Sequence, residues 1–137
     1  MLNCALIKMK RYSDEYGNLT PIESGIDVPF QIKRIYYIYG VDPQVTRGFH
    51  SHKQLHQLLL CVNGTVKIRL KNPNEEEIVT LNDPSVGLYI GPNIWREMFE
   101  FSPQSVLLVL ASDHYNVSDY ERNFTDYSNN AKQYFSN

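Results

Sequence analysis

A chain of 137 residues with 13 lysines and arginines against 15 aspartates and glutamates is long enough for one core, and residues 1–137 are read as a single domain. The formal charge of −2 supplies no basic field for nucleic acid or an acidic membrane surface, and no run approaches the ~18 apolar residues of a membrane span. Two cysteines outside any C-x-x-C pair suit buried thiols in a reducing compartment, and without a signal-peptide pattern the expected location is the cytoplasm.

The first strand is expected from Leu2 to Met9. Nothing near in sequence pairs with it, which makes it a candidate for exchange between the subunits of a homodimer. Ser13 to Asn18 is turn chemistry, and Leu19 to Glu23 a brief strand. Lys33 to Tyr39 predicts a strand with Tyr37 and Tyr39 on one face and Arg34 and Tyr36 on the other. Next comes Arg47-Gly48-Phe49-His50-Ser51-His52-Lys53. Side chains alternate along a strand, so His50 and His52 point into one space.

Asn63-Gly64, between two apolar runs, is the strongest short signal for a two-residue hairpin. It would pair Cys61 with Val66, Leu59 with Ile68 and Gln57 with Leu70. One face then holds Gln57, Leu59, Cys61, Val66, Ile68 and Leu70; the other holds His56, Leu58, Leu60, Lys67, Arg69 and Lys71. Asn72 to Glu77 is polar enough for a solvated loop. Val86 to Ile90, Ile94 to Phe101 and Ser105 to Ala111 add short strands separated by turn residues, the pattern of an all-β sandwich or barrel. At the end, Ser118-Asp119-Tyr120-Glu121 has the form of a capping box, and Tyr120, Phe124 and Tyr127 recur at helical spacing. They predict a short C-terminal helix, to which no chemistry is assigned.

Gly48, His50-x-His52, the acid/amide position at Gln57, and Gly64 resemble the first motif of the cupins; Gly87 through Pro92 to Trp95-Arg96-Glu97 resembles a degraded second motif. The resemblance implies a jelly-roll barrel, a double-stranded β-helix. It narrows with Lys33-Arg34-Ile35-Tyr36-Tyr37, Arg47 to Lys53, Cys61-Val62-Asn63-Gly64, Val86 to Pro92, Trp95-Arg96-Glu97-Met98 and Leu110-Ala111-Ser112-Asp113. Over nearly the whole chain these blocks are similar to the dTDP-4-keto-6-deoxy-glucose 3,4-ketoisomerases, relatives of the dTDP-sugar 3,5-epimerases. The resemblance implies a homodimeric isomerase needing no metal or other cofactor. Its partner would be a dTDP-linked 4-keto-6-deoxyhexose, on the way to amino sugars of bacterial surface polysaccharides.

Moving a carbonyl from C4 to C3 requires a base near neutrality and a nearby proton carrier, and histidine serves as both. By resemblance His50 is the base at C3 and His52 its partner, although the residues alone leave open which does which. Tyr37 is the expected donor to the developing oxyanion. For the diphosphate Arg47 comes first, then Arg34 and Lys53, since charge-assisted bonds suit phosphate oxygens. Gln57, Tyr16 and Arg96 complete the expected substrate contacts. Arg69 is taken as a solvated outer residue, and His56 and His114 as ordinary surface or packing residues. Two positions depart from the commoner family pattern: Tyr16 stands where relatives often have arginine, and Arg96 where they often have histidine. Because residues around C4 decide the face of reprotonation, this pair is expected to mark the gluco product, dTDP-3-keto-6-deoxyglucose.

Three other functions compete. A metal-dependent cupin would use the histidines as ligands, but Gln57 replaces the usual carboxylate, and the second-motif position falls on Arg96 or Glu97. A 3,5-epimerase would act on the same sugar at C5. A nucleotide-sugar-binding cupin would bind without turnover, since fold alone does not establish function.

Overall fold

Strands that alternate apolar and polar side chains can bury their apolar set by facing another sheet, and this chain does so twice over. The computed structural model describes residue 1 and residues 3–136; Leu2, at the expected start of the first strand, lies outside the described residues. The elements in order are β1 (Cys4–Lys8), β2 (Tyr12–Asp14), β3 (Gly17–Leu19), β4 (Arg34–Tyr39), β5 (Arg47–His52), β6 (Gln57–Asn63), β7 (Val66–Lys71), β8 (Glu76–Leu81), β9 (Val86–Ile90), β10 (Trp95–Phe99), β11 (Val106–Ala111), a 3₁₀ turn (Val117–Asp119), β12 (Tyr120–Glu121) and α1 (Phe124–Tyr134). One five-stranded sheet runs β1-β9-β6-β11-β4 and the other β12-β5-β10-β7-β8; β2 and β3 pair as a separate hairpin. The all-β barrel with a short C-terminal helix is therefore the observed fold.

The core between the sheets is built from Leu59, Cys61, Val66, Ile68, Leu70, Leu88, Ile90, Leu107 and Phe101, each at most 2 % exposed. A fully buried side chain of this kind contributes about 1.5–3 kcal/mol relative to leaving it in water. A second cluster, Met9, Val28, Leu58, Leu60 and Leu110, lies on the outer side of the first sheet. Among the described residues, no helix is long and apolar enough to cross a membrane.

Several sequence-based expectations change, among them the brief strand at Leu19 to Glu23, which is observed instead at Gly17–Leu19. The Asn63-Gly64 segment is not a hairpin turn: β6 pairs with β9 and β11, whereas β7 pairs with β8 and β10. The chain crosses there from one sheet to the other, and only Gly64 of the pair takes a positive φ, 75°. Ser102 closes the corner, its hydroxyl accepting from Thr65 N at 2.9 Å, and a Cβ on Gly64 would sit 2.4 Å from that oxygen. The inward face of the two strands was nevertheless assigned correctly, because side-chain parity does not depend on which strand is the neighbour.

β1 is not left unpaired. It runs antiparallel to β9, Cys4 opposite Ile90 and Lys8 opposite Val86, within the same chain. A further change is at the C-terminus, where the helix starts at Phe124, capped by Asn123 accepting from Asp126 N. Tyr120, expected on the helix, instead lies on β12 opposite His52. Loop-like Glu76 and Glu77 also turn out to open a strand, β8, whose Val79 and Leu81 reach the core.

Candidate active site

The site begins with an irregularity in β5. Arg96 on β10 is opposite His50, and Glu97 is opposite Gly48, so Phe49 is an extra residue bulged out of the ladder. Gly48 has φ 97° and Phe49 φ 53°. A Cβ on Gly48 would lie 2.9 Å from the Arg96 carbonyl oxygen, which only glycine avoids. Gly48→Ala is therefore expected to cost roughly 1–3 kcal/mol in stability and to lower turnover by displacing His50. Urea denaturation alongside initial rates would check this; unchanged values in both would mean the bulge does not position the histidine.

Beyond the bulge, His50 and His52 share the inward face as expected. Their rings meet edge to face with centroids 5.0 Å apart, and Tyr120 lies 5.0 Å from His50 and 4.3 Å from His52. His50 Nδ1 is 3.0 Å from the Gly48 carbonyl. A carbonyl can only accept, so Nδ1 carries the proton and Nε2 keeps its lone pair. His52 Nδ1 is 3.0 Å from Asp119 Oδ2, while its Nε2 is buried with no hydrogen-bond partner among the described residues.

Arg96 projects from β10 into the same space and is 2 % exposed. Its Nη1 donates to Gln57 Oε1, and Nε and Nη2 donate to the Ile94 carbonyl at 3.3 and 3.1 Å. Gln57 in turn donates to the Tyr36 hydroxyl at 3.0 Å. Burial lowers the Arg96 pKa to about 10, so a full positive charge stands beside the imidazoles at neutral pH. Burial first and Arg96 second push His50 down to about 4, and His52 moves in the same direction. Both imidazoles are therefore held neutral in this site.

The remaining expected residues divide. Arg34, half-buried, lies over the rings of Tyr36 and Tyr115, and its Nε has no hydrogen-bond partner among the described residues. With His52, Ser112, His114, Asn116, Asp119 and Tyr120 it lines a pocket at the barrel mouth. Arg47 is exposed at the first position of β5, opposite Met98. Lys53 binds the Ser118 carbonyl at 3.2 Å, holding down the segment that carries Asp119. Tyr37 is not brought to the histidines: it is 60 % exposed on the outer face of β4, its ring tilted against that of Tyr39, while Tyr36 points inward. The expected alternation of the strand holds, and it is the face with Arg34 and Tyr36, rather than that with Tyr37, that points into the barrel. Tyr16 is 89 % exposed at the tip of the β2–β3 hairpin, away from the histidines of its own chain. Glu97 faces outward, bonded to Trp95 and Arg69, so Arg96 alone occupies the second-motif position in the barrel. Arg69 is thereby an ion-paired outer residue rather than a fully solvated one.

Sequence reasoning missed Asp119, Tyr120 and Tyr36. The capping-box pattern and aromatic spacing hid the first two inside an expected helix, and no local signal places residue 120 beside residue 52. Among the described residues, no three histidine, cysteine or acidic side chains converge as a cation cage.

A jelly-roll barrel with a His-x-His pair inside defines this protein as a cupin. The chain belongs to the family described as FdtA: WxcM-like, C-terminal, whose model matches residues 2–132. It is 43 % identical over 122 residues to a TDP-4-oxo-6-deoxy-alpha-D-glucose-3,4-oxoisomerase from Aneurinibacillus thermoaerophilus, covering 89 % of this chain and 88 % of that protein. Among solved structures it is similar to the 3,4-ketoisomerase QdtA from Thermoanaerobacterium thermosaccharolyticum, crystallised as a histidine-to-asparagine mutant with TDP-4-keto-6-deoxyglucose. That match has a TM-score of 0.98 and 60 % identity, over 100 % of this chain and 99 % of the other. It is also similar to the WlaRB TDP-quinovose 3,4-ketoisomerase from Campylobacter jejuni, with a TM-score of 0.91 and 43 % identity over 94 % and 99 % of the chains.

Proposed function

We propose that this protein moves the carbonyl of dTDP-4-keto-6-deoxyglucose from C4 to C3, giving dTDP-3-keto-6-deoxyglucose, and that His50 and His52 carry the protons. The observation that supports this most is the pair of imidazoles on one strand face, His52 buried and His50 half-buried, each with Nδ1 engaged and Nε2 carrying its lone pair. One histidine takes the proton from C3 at its free Nε2, and the electron pair forms the C3–C4 double bond. The second histidine takes the proton of the C3 hydroxyl and delivers it to the C4 oxygen; the C3 oxygen becomes the new carbonyl as C4 takes its proton from the imidazolium of the first. Such positioned acid–base catalysis is worth about 10²–10⁴-fold. The Arg96 guanidinium and the Tyr36 hydroxyl are the donors placed to stabilise the oxygen-centred charge. Arg34 and Arg47 hold the diphosphate.

Proton NMR of the purified protein with dTDP-4-keto-6-deoxyglucose in D₂O tests the reading. A 3-keto product is expected, with the C4 configuration read from its couplings. Exchange at C5 would make the protein an epimerase, and bound but unchanged nucleotide would make it a binding module.

The gluco product is supported by Arg96, buried beside both histidines, and by the likeness to a relative named for TDP-quinovose, quinovose being 6-deoxyglucose. Tyr16 enters this reading through a homodimer in which the β2–β3 hairpin of one subunit reaches the barrel of the other. Its exposure, and the pairing of β2 only with β3 among the described residues, fit that role. Changing Tyr16→Arg together with Arg96→His is expected to move the product toward the galacto epimer at C4. An unchanged ratio in the same NMR assay would remove both residues from the stereochemical choice.

A further inference from the structure

Nothing in the proton transfers just described assigns a part to Asp119, which lies on the 3₁₀ turn between β11 and β12. Its two carboxylate oxygens are used separately: Oδ1 accepts from Gln54 N at 2.8 Å and Oδ2 from His52 Nδ1 at 3.0 Å. The turn is itself held to β5 from several sides. Lys53 N donates to the Asp119 carbonyl at 2.9 Å, Lys53 Nζ donates to the Ser118 carbonyl, and β12 pairs Tyr120 with His52. The Asn116 side chain caps the turn by accepting from Ser118 N. The carboxylate therefore has one placement, and His52 meets an obligate acceptor there. The opposite nitrogen, Nε2, is buried with no hydrogen-bond partner among the described residues, on a side chain 1 % exposed. A buried lone pair without a donor is costly, and such atoms cluster where chemistry uses them.

Resting on the ketoisomerase reading, we infer that Asp119 is a positioning residue: it locks His52 in the Nδ1–H tautomer so that the bare Nε2 faces the sugar and exchanges its proton. His50, among the described residues, has a backbone carbonyl at Nδ1 and no carboxylate. Of the two, His52 alone gains a charged partner when it becomes imidazolium, which suits it to hold the proton between removal and return. Asparagine tests the tautomer directly. With Gln54 N still donating to Oδ1, the amide of Asp119→Asn presents its NH₂ to His52 Nδ1. The ring must then accept at Nδ1 and carry its proton on Nε2.

The experiment is ¹⁵N NMR of histidine-labelled wild-type and Asp119→Asn protein, with kinetics on dTDP-4-keto-6-deoxyglucose. The expected result is an Nδ1–H His52 in the wild type, an Nε2–H His52 in the variant, and a kcat lowered by about 10²-fold with KM little changed. A wild-type His52 protonated on Nε2 overturns the inference, as does an Asp119→Asn variant with wild-type kcat. The wild-type spectrum decides even if the variant does not fold. It also needs no substrate, so failure of the ketoisomerase reading would appear separately, as absence of turnover by the wild type.

Discussion

Replacing His50 by asparagine is expected to lower kcat for ketoisomerisation by roughly 10²–10⁴-fold while leaving TDP affinity in place. Asparagine is smaller than histidine but keeps an N–H to offer the Gly48 carbonyl, which His50 Nδ1 meets at 3.0 Å. The bulge of β5 should therefore survive. What disappears is the proton acceptor at Nε2. Rates from NMR conversion, set beside a calorimetric titration with TDP, separate chemistry from binding. Near-wild-type turnover by His50→Asn would remove His50 as the base and leave its neighbour with that role.

The second large effect is on stability as the pH falls. An unfolded histidine takes up a proton near 6.5, but in the folded chain burial and then the Arg96 guanidinium hold His50 at about 4. Between those values the unfolded state binds more protons than the folded one, so stability present above pH 6.5 is lost as the pH drops toward 4. For His50 the loss is of order 3 kcal/mol, and His52 adds to it in the same direction. Urea midpoints should fall steeply from about pH 7 to about pH 4.5 in the wild type and less steeply in His50→Asn. Equal slopes would mean that the His50 imidazole is not held neutral by its surroundings. Activity should by the same logic persist on the acid side of the usual imidazole range, because the histidines there are still unprotonated.

Parity along strands was legible in the sequence, and pairing was not. His50 and His52, Gln57 and the inward residues of β6 and β7 could be placed by alternation alone, which is a property of the backbone. The neighbours of those strands depend on contacts between distant segments. Asn63-Gly64 is a strong local turn signal, but Leu58 and Leu60 bury their outer side against Met9, Val28 and Leu110. That burial keeps β6 in the first sheet while β7 goes to the second. At Tyr36 and Tyr37 the two faces were separated correctly, and no local feature said which met the histidines. Asp119 and Tyr120 were hidden for a related reason: their partner is residue 52, and a capping pattern describes only its own few residues.

The corner at Gly64 also governs the order in which the molecule can assemble. Because consecutive strands there part company, the barrel's ladders join remote segments: Tyr39 lies opposite Val106, Arg96 opposite His50, and Tyr120 opposite His52. Chains dominated by such long-range pairing close slowly, since loop entropy is lost before contacts compensate for it. During synthesis, the two histidines leave the ribosome long before the strand that covers them. The pocket can thus take shape only after residue 121 has emerged, and until then β5 has one of its edges open, without β12.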